Sequence, residues 1–334
     1  MHLTKTEREN LFIESRTYDV GICCFYSIDL ESITYDVDKV VAVKLDFDIE
    51  GGRYPRISSY SNGLLCIVLE NCFWLYNPST RERKQVKFQG GMKCCFEFGF
   101  SYVDSIDDYK FVRLHHLEKI VEIYSLRKNS WKSIKIEHDL ILYNIRYCTC
   151  ELVGFPLNGA IHWEFYYYDK IENPSVIVAF DLFEENFKIL TLPNIIVGSE
   201  FVGIFGGYLC TISRSRRGDI TGIWVMKEYS VKASWTKILT VNNIPYPRPL
   251  CYLKNSNITM FSTSKGLAFY NPEYQKFKKI EVDGIQKFWV VYPYVESLAS
   301  PNYENHFTTE VEPEVTINEE HNLPLHDHSQ TKWS

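Results

Sequence analysis

A short sequence phrase recurs along this chain at intervals of 44 to 56 residues. It consists of an apolar strand ending in an aromatic residue, a turn, and a second aromatic or basic residue that opens another strand. Copies start at positions 26, 76, 124, 180, 226 and 270, and the clearest pairs, seven residues apart, are Tyr124 with Trp131, Phe180 with Phe187 and Tyr270 with Phe277. A repeat of about 40–50 residues is typical of one four-stranded propeller blade. The six copies therefore predict an all-β, kelch-like β-propeller with about six four-stranded blades.

The strand pattern covers residues 18–300 and is missing at both ends of the chain. Residues 1–17 are predicted to form a short N-terminal lead segment that is helical or frayed, because Thr4 and Glu7 have the spacing of a capping box. No helical periodicity follows this lead, which excludes folds that alternate strands with crossover helices. Residues 301–334 are rich in Glu, His, Asn and Pro, and they predict a disordered tail.

The net charge of −6 is concentrated in that tail. Residues 301–334 carry seven carboxylates and one lysine, whereas the body carries 35 basic and 35 acidic residues. A neutral body argues against a broad nucleic-acid footprint, which needs clustered positive charge. No apolar run reaches the length of a membrane span, and the polar first residues predict no secretory signal. Ten cysteines without a CxxC pair predict buried free thiols in a reduced compartment, the cytoplasm, the nucleus or both.

Sequence signals for catalysis, cofactors or metals are weak. The double glycines at 51–52 and 206–207 are typical of turns, and no GxSxG elbow is present. His115 and His116 are adjacent, so in a strand they point to opposite faces and make a poor metal site. The acidic pairs at 107–108 and 184–185 fall at expected hairpin turns and are interpreted as solvated turn residues. The sequence therefore predicts no catalytic, cofactor or metal residues and favours a binding module, with a propeller enzyme as the minor alternative.

Several of these phrases, in this order along residues 18–300, resemble the plant F-box-associated domain of the S-locus F-box-like and F-box/kelch-type group. The matching stretches include 61–66 (SNGLLC), 74–82 (WLYNPSTRE), 98–100 (FGF), 121–126 (VEIYSL), 157–163 (LNGAIHW), 178–182 (VAFDL), 223–229 (IWVMKEY) and 294–298 (YVESL). The resemblance implies a β-propeller-like domain that recognises the target protein in an SCF-type ubiquitin ligase. It implies a non-catalytic adaptor without a cofactor.

In that family an N-terminal F-box, a small helical motif, holds the Skp1 adaptor. Residues 1–17 lack the F-box pattern and are similar to the segment that follows one. Skp1 and cullin are therefore expected partners only of a fuller form that carries an F-box. The alternative is an F-box-less interaction module that binds targets without Skp1. The target is unnamed, and for a member of the S-locus type it would be a pistil ribonuclease.

Topology predicts which end of the ring binds a protein partner. In a four-stranded blade, the connector between the second and third strands leaves at the same end as the connector to the next blade. Three such connectors are rich in aromatic or basic residues, which are favoured at interface hot spots. The predicted partner-binding residues are His115, His116, Tyr166, Tyr167, Tyr168, Arg214, Arg216 and Arg217.

Overall fold

The computed structural model describes most of the first 302 residues, all of which lie in one compact unit, Met1–Tyr303. The described ranges are 5–16, 23–47, 56–89, 96–115, 118–136, 145–146, 153–167, 175–193, 196, 199–215, 220–242, 244, 246–285 and 290–302. Residues 303–334, most of the predicted tail, lie outside the described residues.

Almost all regular structure in the described residues is β-strand. The strands of the first half are β1 (Lys5–Arg16), β2 (Cys23–Asp29), β3 (Lys39–Val41), β4 (Val43–Lys44), β5 (Arg56–Ser61), β6 (Leu64–Val68), β7 (Cys72–Tyr76), β8 (Arg83–Lys87), β9 (Phe96–Val103), β10 (Asp108–His115), β11 (Ile120–Ser125), β12 (Ser130–Lys135) and β13 (Ile145–Arg146). The strands of the second half are β14 (Phe155–Leu157), β15 (Ala160–Tyr167), β16 (Ser175–Asp181), β17 (Asn186–Leu190), β18 (Ser199–Phe205), β19 (Tyr208–Arg214), β20 (Ile220–Met226), β21 (Trp235–Asn242), β22 (Arg248–Tyr252), β23 (Thr259–Thr263), β24 (Gly266–Asn271), β25 (Lys276–Asp283) and β26 (Val290–Ser297). Three single 3₁₀ turns complete the described elements, at Leu30–Ser32, Asp104–Ile106 and Lys232–Ser234. None of the described segments is a helix long and apolar enough to span a membrane.

The strands form six antiparallel sheets, which are the six blades of a β-propeller. From the inner to the outer strand, the first three are β26-β1-β2-β4, β5-β6-β7-β8 and β9-β10-β11-β12. In the fourth, β13 and β14 both pair with β15, and β16 and β17 follow. The last two are β18-β19-β20-β21 and β22-β23-β24-β25. We call them blades 1 to 6 and their strands A (inner) to D (outer). Each inner strand contacts the inner strand of the next blade, and the last contacts the first, so the ring is closed. The predicted six-bladed, four-stranded propeller is confirmed.

Blade 1 joins the two ends of the propeller chain. Its inner strand is β26, which pairs along β1 and carries Tyr294 opposite Asn10. The prediction of a helical or frayed lead over residues 1–17 is wrong, because Lys5–Arg16 is a strand of this blade. A second link lies at the rim, where β3 adds in parallel to β25 of blade 6.

The core consists of six clusters, one between each pair of neighbouring blades. Both faces of each sheet are covered, so a strand can be apolar at every position. In β6, Leu64 and Cys66 pack toward blade 3, whereas Leu65 and Ile67 pack toward blade 1. This explains why the sequence shows continuous apolar runs, which are typical of strands buried on both faces.

The repeated sequence phrase is the hairpin from strand C to strand D. All six anchor residues lie in strand C, and Tyr124, Phe180 and Tyr270 pair directly with the aromatic seven positions later. Tyr124 and Trp131 lie in the cluster between blades 2 and 3, with ring centroids 5.3 Å apart. Each anchor packs against the preceding blade, so the aromatics fill space between sheets as predicted.

The residue after the anchor shapes the turn. Asn77 Oδ1 accepts hydrogen bonds from the backbone N–H groups of Ser79 and Thr80, at 2.8 and 3.3 Å. Four positions after this residue, the backbone enters the left-handed region. The four equivalent pairs are Asn77 with Arg81, Ser125 with Asn129, Asp181 with Glu185, and Asn271 with Gln275. Asn, Asp and Ser suit this position because their side chains can bond local backbone groups.

A buried histidine links blades 4 and 5. The His162 side chain is fully buried, with Nδ1 3.1 Å from the carbonyl oxygen of Phe155 and Nε2 2.7 Å from the hydroxyl of Tyr229. Because a carbonyl can only accept, Nδ1 carries the proton, and Nε2 accepts from the tyrosine hydroxyl. Both nitrogens of the neutral ring are thereby satisfied, and burial lowers the pKa of His162 to about 4.

The stability of the propeller is expected to fall between pH 6.5 and pH 4 because of this residue. In the unfolded chain histidine titrates near 6.5, so the unfolded state binds an extra proton in that range. In the folded state the pKa is about 4. Because each pKa unit of difference corresponds to about 1.4 kcal/mol, the free energy of unfolding falls by about 3 kcal/mol over this pH range. Urea unfolding from pH 7 to pH 4.5 measures it. In a His162→Gln variant the carboxylates titrate as in the wild type, so its free energy of unfolding should depend less steeply on pH. Equal pH dependence in the two proteins would refute the assignment to His162.

Candidate partner-binding faces

The ring has two ends with different construction. At one end lie the A–B and C–D turns, and we call this end the turn face. At the other lie the B–C connectors and the blade-to-blade connectors, and we call it the connector face. All A–B turns and the C–D turns of blades 2 to 6 belong to the described residues, whereas much of the connector face lies outside them.

Three A–B turns are two-residue hairpins with positive φ at both central positions. They are Asn62-Gly63, Asn158-Gly159 and Gly206-Gly207. Asn and Gly are the residues that tolerate this backbone, which matches the twist of the flanking strands. At Gly63 space is also limiting, because a Cβ there would lie 2.1 Å from Ser297 Oγ. These short turns leave the centre of the turn face open.

A cavity of about 700 Å³ occupies that centre. Its lining comes from the A–B turns of blades 2, 3 and 4, the C–D turn of blade 4 and the end of β26. A smaller cavity of about 300 Å³, lined by inner strands and including Arg248, shares Tyr60 and Pro156 with it. The two cavities are therefore adjacent, and they meet at the inner strands of blades 2 and 4.

Of the residues that the structure describes around the large cavity, the charged ones are all acidic: Asp104, Asp181, Glu184 and Glu296. Asp181 is held by Lys188, with 3.1 Å between Nζ and Oδ2, and Glu296 accepts from Asn10 Nδ2 at 3.1 Å. Burial pushes the pKa of Asp181 upward. Hydrogen bonds from the backbone of Glu184, from Lys188 and from the backbone of Phe183 outweigh that effect and keep the pKa below its usual value. The cavity thus has negative charge at neutral pH.

The turn face also carries most of the exposed apolar side chains found in the described residues. Of eleven large apolar residues that are exposed there, six lie in its turns or at the strand ends next to them. The six are Phe183, Tyr208, Val231, Tyr252, Tyr274 and Leu298. Ile220 and Tyr246 lie at the connector face, and the other three lie on outer strands or the rim.

The predicted site residues are only partly visible in the structure. Arg214 ends β19 at the connector face, and its guanidinium lies 4.4 Å from the ring centroid of Tyr246. Tyr166 and Tyr167 lie in β15, and nothing is described of their side chains. His116, Tyr168, Arg216 and Arg217 lie outside the described residues.

The placement of His115 in an exposed connector is wrong. His115 is the last residue of β10, it is buried, and its Nε2 lies 2.7 Å from Glu122 Oε2. Strand pairing with Ile120 extends one residue further than the apolar pattern indicates. The partner-binding role of the remaining connector residues stays a prediction.

Sequence reasoning missed the cavity at the turn face. Its residues were visible as turn signals, such as Asn158-Gly159, but a turn signal indicates backbone shape and not which turns meet at the ring axis. Within the described residues, no group of three His, Cys, Asp or Glu side chains converges to hold a metal ion.

One protein family and two related proteins match most of this chain. Residues 15–301 match the family described as F-box associated beta propeller domain. An F-box/kelch-repeat protein of Arabidopsis thaliana is 24% identical over 313 residues, which cover 90% of this chain and 82% of that protein. The F-box protein CPR1 of the same plant is 27% identical over 301 residues, which cover 78% of this chain and 70% of CPR1.

Two solved structures share the fold at low sequence identity. A chain of the nidogen/laminin complex superposes with a TM-score of 0.50 and 11% identity, covering 86% of this chain and 98% of that one. TolB from Acinetobacter baumannii gives a TM-score of 0.50 and 12% identity, covering 86% of this chain and 66% of TolB. At this identity the likeness concerns the propeller fold alone.

Proposed function

The chain belongs to the F-box associated β-propeller family, and from that premise we propose that it is the target-recognition module of an SCF-type ubiquitin ligase receptor. The observation that carries the proposal is the family match, which extends over the six-bladed ring from residue 15 to residue 301. F-box proteins use such propellers to recognise substrates and are generally non-catalytic adaptors. A closed ring with an open, partly apolar face suits this role, because it is a rigid platform.

Skp1 and cullin are the proposed partners of a form that carries an F-box. The described residues contain strands and three 3₁₀ turns and no α-helix, so they contain no helical F-box. The second candidate is an interaction module that binds targets without Skp1. The proposed location is the cytoplasm, the nucleus or both.

A matched pair of proteins tests this function in plant cells. One is the chain as it stands, and the other is the chain joined behind the F-box of CPR1. The F-box alone is the control. We expect only the fusion to co-purify Skp1 and cullin, and both to capture the same target proteins. Those targets should decline with the fusion and recover when the proteasome is inhibited.

If the fusion binds Skp1 but lowers the abundance of no captured protein, the ligase role is refuted and the interaction module remains. If the chain alone already binds Skp1, the second candidate is refuted. A pistil ribonuclease, the target expected for an S-locus role, can be tested directly as one candidate.

A further inference from the structure

The turn that carries Phe183 and Glu184 is held by hydrogen bonds from its own blade and from blade 3. Asp181 Oδ1 accepts from the N–H groups of both residues, at 3.0 Å each. On the other side, Lys110 of blade 3 donates to the carbonyl oxygen of Leu182 at 2.6 Å and to Glu185 at 3.3 Å. A rigid turn loses little conformational entropy on binding, which favours affinity.

This fixed turn presents an apolar ring beside a carboxylate. The Phe183 side chain is 55% exposed. The carboxylates of Glu184 and Asp104 have no hydrogen bond or ion pair with any residue that the structure describes. Both residues line the 700 Å³ cavity, a size within the range of about 300–1,000 Å³ that is usual for binding pockets.

The occupant that fits is a protein segment with a basic side chain next to an apolar one. Among the described residues, the cavity lining has four carboxylates and no Lys, Arg or His, so a lysine or arginine is complementary in charge. Exposed aromatic residues elsewhere on the same face, among them Tyr252 and Tyr274, extend the contact area beyond the cavity. Aromatic side chains are enriched at the centres of protein interfaces.

We propose that the turn face, rather than the connector face, docks the target protein. In this arrangement a basic residue of the target enters the central cavity between Asp104 and Glu184, and a neighbouring apolar residue packs on Phe183. The inference rests on the proposed function and adds the face and the chemistry of the target segment. In this arrangement the connector residues Arg214, Arg216 and Arg217 do not contact the target segment.

The test uses the purified chain and a phage-displayed library of random twelve-residue peptides. We expect the selected peptides to be enriched in Lys or Arg next to an aromatic or aliphatic residue. A turn-face variant, Phe183→Ser with Glu184→Gln, should bind them at least about tenfold more weakly, which corresponds to about 1.4 kcal/mol. Affinity should also fall as salt is raised, because exposed charges are screened.

The control variant is Ile220→Ser with Glu281→Gln, which removes an exposed apolar residue and a carboxylate away from the turn face. It should bind the peptides like the wild type, and both variants should keep the thermal unfolding midpoint of the wild type. The proposal is overturned if selected peptides are acidic, if they bind the turn-face variant as tightly as the wild type, or if no peptide is enriched. These outcomes do not depend on Skp1 or the proteasome, so they are separable from failure of the ligase role.

Discussion

Replacing Asn77 by aspartate is expected to lower the free energy of unfolding by about 3 kcal/mol. Asn77 is fully buried, and its Nδ2 donates to the carbonyl oxygens of Ser297 and Ala299, at 2.9 and 2.7 Å. Aspartate keeps the oxygen that the turn needs but presents a second oxygen to these two carbonyls. Each buried carbonyl that loses its donor costs about 1–3 kcal/mol. The variant therefore weakens the link between blade 2 and the end of β26.

The matched control is Asn271→Asp. Asn271 makes the same turn, accepting from the N–H groups of Glu273 and Tyr274 at 2.9 and 3.4 Å, and aspartate already fills the equivalent position at Asp181. We expect a change below about 1 kcal/mol, as for an exchange between two similar side-chain acceptors. Urea unfolding of the two variants separates ring closure from turn formation. Equal losses at the two positions would show that Asn77 acts only through its turn.

Ring closure at this point depends on more than one side chain. The hydroxyl of Tyr60 donates to the carbonyl oxygen of Val295 at 2.7 Å and accepts from its N–H at 3.0 Å. Tyr60 and Asn77 both belong to blade 2, whereas the strand they hold belongs to blade 1. Blade 1 is made from both ends of the propeller chain, so these contacts fix the position where the ring could otherwise open.

The sequence predicts the blades well because the information within a blade is local. Anchor and partner, such as Tyr124 and Trp131, are seven residues apart and form one hairpin. The identity of the turn residue follows from the hydrogen bonds that it must accept. Five of the six blades are built from consecutive strands. Local sequence patterns are therefore sufficient for most of the fold.

Local patterns are not sufficient for blade 1. Its strands β1 and β26 pair across nearly the whole chain, with Lys5 opposite Ser297. The segment 5–16 is largely charged at its start and has its buried apolar residues only at Leu11, Phe12 and Ile13. It therefore resembles a polar lead, and only the partner strand makes it a blade strand.

The candidate site was inaccessible to sequence reasoning for a related reason. Asp104 and Glu184 are 80 positions apart in the sequence, and each is an ordinary turn residue in its own hairpin. Closure of the ring brings their turns to the same cavity. The composition of the connector residues indicates interface propensity but not their position relative to the ring axis.

Replacing Glu122 by methionine is expected to destabilise the propeller by about 3–5 kcal/mol. Glu122 of β11 lies opposite Arg113 of β10, and the two form an ion pair through Arg113 Nη2 and a second contact of 2.6 Å from Nε. The Arg113 side chain is 1% exposed and lies 4.5 Å above the ring of Phe88. Without the carboxylate Arg113 loses this ion pair while its side chain stays buried, and His115 loses the 2.7 Å contact of its Nε2 with Glu122. Removing only one member is the costly way to break a buried pair.

The double variant Arg113→Met with Glu122→Met tests whether charge is the cause. Replacing both members of a buried ion pair by apolar residues is often neutral, so the double variant should be more stable than Glu122→Met alone. The surface pair of Lys39 and Asp283, 3.0 Å apart and half-exposed, is the control. Asp283→Ala should change the free energy of unfolding by less than about 1 kcal/mol, because solvent screens that pair. If the double variant loses the sum of what Arg113→Met and Glu122→Met lose singly, packing rather than the broken ion pair explains the effect.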